Sequence, residues 1–261
     1  MSRICPLFSG SSGNSTYIAS ENGSLLIDVG ASFRAISSAL EAIDSSCEEI
    51  KAVLITHEHT DHIKGLKTFL KYAKVPVVAS EATLNTLISA NIIPAGAKTL
   101  QIDNRSELCG FEITRFPTMH DCVGSSGYSV YTADGKKISV CTDLGKVTDE
   151  VRTAVYGSDA VLIESNHDID MLKKGPYPPA LKMRILSDNG HISNNACAAE
   201  LSNLLDSGTK RFILGHLSRK NNSPLLAFNA ACASLTDCGA KAEIDYMLSV
   251  ASPTGNGVTV V

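Results

Sequence analysis

Three of the chain's seven histidines fall within six residues, His57-Glu58-His59-Thr60-Asp61-His62. A strand-like apolar run, Lys51-Ala52-Val53-Leu54-Ile55, ends directly before them. A segment with helical apolar spacing, Ile63, Leu66, Phe69 and Leu70, starts directly after. The histidines therefore lie on a strand-to-helix turn. In extended chain, alternate side chains point the same way, so His57 and His59 face one point while Asp61 and His62 turn toward a neighbouring one. Burying so many polar groups without a shared cation is costly. Imidazole and carboxylate together suit zinc, manganese or iron. A lone histidine would read as a satisfied core or surface residue, but this density of donors reads as metal ligation.

Further donors are expected at the ends of other strands, where α/β folds place functional groups. His120 comes just past the strand Phe111 to Phe116, Asp143 follows Ile138-Ser139-Val140-Cys141-Thr142, and His216 follows Arg211-Phe212-Ile213-Leu214-Gly215. Taken singly, each has a duller reading, as a surface histidine, a turn aspartate and a capping histidine. Their shared strand-end context favours ligation.

The rest of the chain frames this site. Strand-like runs (Ser24 to Asp28, Ala160 to Ile163, Arg211 to Leu214) alternate with helical segments, and no linker or low-complexity tract intervenes. One domain spanning 1–261 is expected, a layered α/β architecture with sheet inside and helices outside. Ser32 could cap a helix through Ile36, Leu40 and Ile43, and Ser80 another over Leu84, Leu87 and Ile88. Asp134-Gly135 between Tyr128–Tyr131 and Ile138–Cys141 signals a hairpin. Helices are expected from Asn194 to Asp206, with Gly208 beyond, and from Ser223-Pro224 to Gly239. No apolar run approaches the roughly 18 residues of a membrane helix. The N-terminus lacks a secretory apolar core. The eight cysteines form no Cys-x-x-Cys pair and read as reduced thiols, so the expected location is the cytoplasm. A net charge of -4 excludes general attraction to nucleic acid. One local basic stretch, residues 171 to 187 with Lys173, Lys174, Lys182 and Arg184, is either a solvated loop or a phosphate-binding patch.

These residues resemble the metallo-β-lactamase superfamily over nearly the whole chain: the His-x-His-x-Asp-His run, then a single His, a strand-end Asp and a strand-end His. The resemblance implies an αββα sandwich with the site at one edge between the sheets. It implies that His57, His59 and His120 hold one divalent metal, that Asp61, His62 and His216 hold the other, and that Asp143 bridges them. Asp28 matches the family's first motif, which supports the ligands. Four further stretches look like the YycJ (WalJ) type of exonuclease-like member: Phe8 to Ser15, Glu164-Ser165-Asn166-His167-Asp168, Gly190-His191-Ile192-Ser193-Asn194 and Gly215 to Asn222. Glu164 and His191 resemble the proton-relay pair of the tRNA 3′-processing endonucleases of the same superfamily.

The expected activity is that of a dinuclear metal-dependent phosphodiesterase, a DNA exonuclease acting 5′ to 3′, with a metal-bridging hydroxide as nucleophile. Asp61, His191 and Glu164 are the candidate catalytic residues, His191 as proton donor unless it merely caps the following helix. Ser11, Ser12, Gly13 and Asn14 could present backbone N–H groups and hydroxyls to phosphate, although the same loop would serve as a plain turn. His167, Ser193 and Lys182 are further candidates for phosphate contact. With no tryptophan and no row of aromatics, DNA would be held by its backbone. The competing readings are hydrolysis of a small thioester, ester or lactone at the same site, and a non-catalytic nucleic-acid-binding scaffold. Asp143 stands where many β-lactam hydrolases resemble one another in using Cys, which argues against that substrate.

Overall fold

In the computed structural model, which describes residues 1–261, the strand-like runs assemble into two seven-stranded sheets. The chain starts with β1 (Arg3–Phe8), β2 (Ser15–Ser20) and β3 (Gly23–Ile27). It passes through α1 (Phe33–Glu41) to β4 (Ile50–Leu54) and then through two short helices, α2 (Thr60–Ile63) and α3 (Leu66–Ala73). β5 (Val77–Ala79), α4 (Glu81–Ser89) and β6 (Thr99–Gln101) extend the first sheet. The second sheet is built from β7 (Arg105–Leu108), β8 (Phe111–Pro117), β9 (Ser126–Tyr131), β10 (Lys137–Cys141) and, after α5 (Asp149–Val155), β11 (Ala160–Glu164). α6 (Ile169–Lys174), α7 (Pro179–Leu186) and α8 (Asn194–Asp206) lead to β12 (Arg211–Gly215). α9 (Pro224–Asp237) and β13 (Met247–Val250) follow, and β14 (Thr259–Val260) returns to the first sheet beside β1. The strand orders are β14-β1-β2-β3-β4-β5-β6 and β13-β12-β11-β10-β9-β8-β7.

Side-chain alternation explains why both sheets are covered on both faces. In β4, Ala52 and Leu54 enter the layer between the sheets, while Val53 turns to the outer face with Ile55 just beyond. In β11, Ala160 and Leu162 face inward, and Val161 and Ile163 face α8 and α9. The result is three apolar layers of similar size, with 20, 19 and 17 buried residues, which requires helices outside each sheet. This is the expected αββα sandwich. Tyr128 ties the sheets together, its hydroxyl donating to the Ile55 carbonyl at 2.7 Å. No helix is long and apolar enough to cross a membrane.

Several helix starts follow from capping chemistry. Ser32, Ser80, Ser193 and Ser223 accept the amides of Ala35, Thr83, Ala196 and Leu226. α8 spans Asn194–Asp206, and Gly208 just beyond it has φ 104°. α1 stops at Glu41, short of Ile43, because Asp44 turns into the left-handed region at φ 54°. The helix expected directly after the histidines is split into α2 and α3 at Gly65. A Cβ there would lie 1.8 Å from the Ala31 carbonyl oxygen, so close backbone packing selects glycine. The basic stretch 171 to 187 is not a solvated loop. Asp168 caps α6 and Pro179 opens α7, so most of it is helical.

Leu25→Ala removes a fully buried side chain from the layer between the sheets. It is expected to cost about 2–5 kcal/mol in urea unfolding. Ile88→Ala at an exposed position of α4 should stay within about 0.5 kcal/mol of wild type.

Candidate metal centre

The polar residues collect where strands end along one edge of the sandwich. Asp28 follows β3, Thr56 and His57 follow β4, His120 follows β8, Asp143 follows β10, Glu164 ends β11 and His216 follows β12. Asp28, Asp143 and His216 adopt φ of 65°, 59° and 55°, a conformation uncommon outside glycine. Such strain persists only where the surroundings over-determine it. The Asp28 amide donates to Leu54 O and the His216 amide to Ser9 Oγ, each at 2.8 Å.

The structure brings all seven sequence-derived ligand candidates together. His57, His59 and His120 form one group of converging donor atoms, and Asp61, His62 and His216 form a second. Asp143 reaches both. Its Oδ1 lies 3.6 Å from His120 Nε2 and 3.6 Å from His216 Nε2, and its Oδ2 lies 3.2 Å from His62 Nε2. His59 Nδ1 stands 3.3 Å from His120 Nε2, and Asp61 Oδ2 stands 3.7 and 3.8 Å from the Nε2 atoms of His62 and His216. Donors about 2.0–2.1 Å from a tetrahedral cation stand roughly 3.3 Å from one another, so these spacings suit shared cations. His57 Nε2, Asp143 Oδ2 and His216 Nε2 are buried without any hydrogen-bond partner. Orphaned buried polar atoms of this kind are rare in folded proteins. The histidine and aspartate cluster fits divalent metal ions.

Four of the five ligand-candidate rings, those of His57, His62, His120 and His216, are aimed by a partner on the far nitrogen. Asp28 Oδ2 lies 2.7 Å from His62 Nδ1, and Asp28 also accepts the amide and hydroxyl of Thr56 at 2.8 Å. Thr56 Oγ1 is 3.0 Å from His57 Nδ1, and the Gly190 carbonyl is 3.1 Å from His120 Nδ1. Glu164, fully buried, holds two imidazoles on one oxygen: Oε1 is 2.7 Å from His216 Nδ1 and 2.8 Å from His191 Nδ1. Its Oε2 accepts the amides of Leu144 and Ile192. Burial works against the Glu164 charge, but His191 and His216 outweigh it and bring the carboxyl down to about 2. Burial likewise opposes charge on His62, yet Asp143 and Asp28 lift it to about 10. Burial also opposes charge on His191, and Glu164 reverses the direction, raising it above the ordinary histidine value.

A cleft of about 240 Å³ opens over the cluster, and His191 lines it with its side chain 18% exposed. Ser193, not His191, caps α8. Of the phosphate-contact candidates, Ser11 lines the cleft. Ser12 is exposed outside it, and Gly13 is buried, where a Cβ would meet the Gly30 carbonyl at 2.8 Å. Asn14 accepts the Gly10 amide and donates to Asp61, so it braces the loop against the cluster. His167 is 1% exposed, with both ring nitrogens unpartnered, and burial takes it down to about 4. Lys182 points away from the cleft and donates to the Lys173 carbonyl. Arg184, two residues on and so on the opposite face of α7, lines the cleft and pairs with Asp121. Sequence reasoning missed Thr56, Asn166, Tyr177 and Ser218. Asn166 and Ser218 stand inside the quoted stretches Glu164–Asp168 and Gly215–Asn222 and Thr56 directly precedes His57, whereas no motif singles out Tyr177.

A family model described as "Beta-lactamase superfamily domain" matches residues 24–217, the stretch that runs from just before Asp28 to just past His216. This chain belongs to the metallo-β-lactamase superfamily. The superfamily chain is 34% identical over 223 residues to "Exodeoxyribonuclease YycJ" of Bacillus anthracis, covering 85% of this chain and 84% of that one. It is 35% identical over 251 residues to "Exodeoxyribonuclease WalJ" of Streptococcus pneumoniae (strain D39 / NCTC 7466), covering 95% and 93%. It is thus of the YycJ/WalJ type within the superfamily. The crystal structure of the metallo-β-lactamase fold protein YhfI from Bacillus subtilis superposes over 100% of both chains, with a TM-score of 0.71 at 15% identity. The fold is therefore the metallo-β-lactamase sandwich, and the chain is a metal-dependent hydrolase.

Asp28→Asn is expected to weaken zinc affinity about 10–100-fold, as measured by competition with a chromophoric chelator. Unchanged affinity would remove the orienting role of Asp28.

Proposed function

We propose that this hydrolase is a dinuclear phosphodiesterase that degrades DNA from its 5′ end, and that the whole chain acts as one domain. The observation that carries this reading is the shared Glu164 carboxylate, which couples a cleft-lining imidazole, His191, to a candidate metal ligand, His216. Two relatives named as exodeoxyribonucleases support a nucleic-acid substrate. The eight unpaired cysteines fit a reducing, cytoplasmic setting.

In this reading, His57, His59 and His120 would hold one cation and Asp61, His62 and His216 the other, with Asp143 between them. The cations, zinc or manganese, would supply a hydroxide at neutral pH and polarise a phosphate oxygen. The protein's own groups do the rest. The raised His191 imidazole holds a proton at the cleft wall, and Glu164 fixes the ring so that Nε2 can deliver that proton to the departing sugar oxygen. Asp61, kept ionised mainly by His216 and His62 against the effect of burial, would accept a hydrogen bond from the attacking water. Arg184 at the cleft wall would exchange Asp121 for the terminal 5′ phosphate, and Ser11, Asn166 and Ser218 offer donors to the neighbouring backbone. Tyr177 is the one lining residue with a non-histidine aromatic ring, which fits recognition of backbone without base sequence.

A metal-loaded preparation should release nucleotides from 5′-phosphorylated linear DNA faster than it hydrolyses a thioester or a lactone, and chelation should abolish the release. Exclusive carbonyl hydrolysis would overturn the assignment, and preferential loss of a 3′-terminal label would reverse the polarity. Asp143→Ala is expected to abolish hydrolysis with the circular dichroism spectrum retained. His191→Ala should lower kcat by about 10²–10⁴-fold while bound metal stays constant. Equal losses of metal and turnover would make His191 structural.

A further inference from the structure

A second concavity, of about 510 Å³, opens between the C-terminal end of α3 and the segment entering β6. Leu70, Val75 and Pro94 contribute to an apolar floor, and Lys67, Lys71, Lys74 and Lys98 form the rim. Lys67 and Lys71, four apart, share one face of α3, and Lys74 follows the helix end in the left-handed conformation at φ 51°. All four lysines are exposed. The ion-paired lysines of this protein, Lys136, Lys146 and Lys174, lie elsewhere. The helix C-terminus favours cations near Lys71 and Lys74, but it does not account for Lys67 a turn earlier or Lys98 on another segment. In a chain of net charge -4, four lysines without a carboxylate partner gather around one small concavity, with Lys71 lying over the Tyr72 ring, and give it a local positive potential that favours an anionic ligand.

The groove is also far from the chemistry. β4, β5 and β6 run parallel, and His57 follows the C-terminal end of β4. Lys74 and Lys98 precede the N-terminal ends of β5 and β6, so the groove opens at the opposite end of the sheet.

We propose that this groove docks an acidic peptide segment of a partner protein, with apolar side chains of the peptide on the floor and its carboxylates against the lysines. An apolar centre within a polar rim is the anatomy of a protein interface. A nucleic-acid backbone would use the rim alone, and no aromatic ring lines the floor to stack a base.

The test is fluorescence anisotropy with the full chain and a fluorescein-labelled peptide, Glu-Glu-Leu-Asp-Asp-Phe. Lys71→Glu combined with Lys74→Glu should weaken binding by about tenfold or more, and added salt should weaken wild-type binding. Replacing the peptide's leucine and phenylalanine with alanine should weaken it as well. Absence of peptide binding, or equal affinity in the double variant, would overturn the proposal. So would a single-stranded 20-nucleotide DNA whose binding is lost in the double variant and is not displaced by the peptide. The variants alter exposed side chains, and thermal unfolding checks that they remain folded.

Discussion

Charge withdrawn from water at one edge of the sandwich sets the terms for everything around it. Asp28, Asp143 and Glu164 are 3%, 2% and 0% exposed, and His57, His62 and His216 are no more open. Unmatched, such burial costs several kcal/mol per ion. Asp28 and Glu164 meet that cost with imidazoles and backbone amides, Asp143 has only imidazoles beside it, and the ligand atoms still unpaired converge in groups that divalent cations fit. Protons and cations compete for the same nitrogens, so ligand basicity and metal retention are one property. The raised His62 is the proton side of that competition.

The two sheets make this convergence geometrically possible. Parallel pairing of β3 with β4, and of β10, β11 and β12 in sequence, aligns successive strand ends at one edge. Left-handed turns at Asp28, Asp143 and His216 then fold side chains back over that edge. The apolar layers are the counterpart of this strain. Close packing of Leu25, Ile27, Leu54, Tyr128 and Val140 between the sheets resists the shifts that would relax those turns. Glu164 closes the circuit by joining the donor triads to the cleft wall through His216 and His191.

Much of this was legible in the chain. The dense His57–His62 run, serine caps at Ser32, Ser80, Ser193 and Ser223, and Gly208 past α8 are local signals, and local physics decides them. The groove lysines and the wall residues were not legible as sites. Lys67 and Lys71 look like an ordinary solvated helix face until Lys98 is brought beside them from another segment. Arg184 looked equivalent to Lys182, but helical phase sends one into the cleft and the other onto the Lys173 carbonyl. Asn14 looked like a phosphate contact, yet its amide is committed to Gly10 and Asp61.

By itself the sequence determined the donor chemistry, the alternation that buries both faces of each sheet, and the places where helices begin, because these depend on residue type and short-range spacing. Only the tertiary structure decided which donors share a neighbour, which ring nitrogen is free and which cations stand unpaired. Those properties depend on distances between segments 20 to 207 residues apart, and they exist only once the sheets have closed on their common layer.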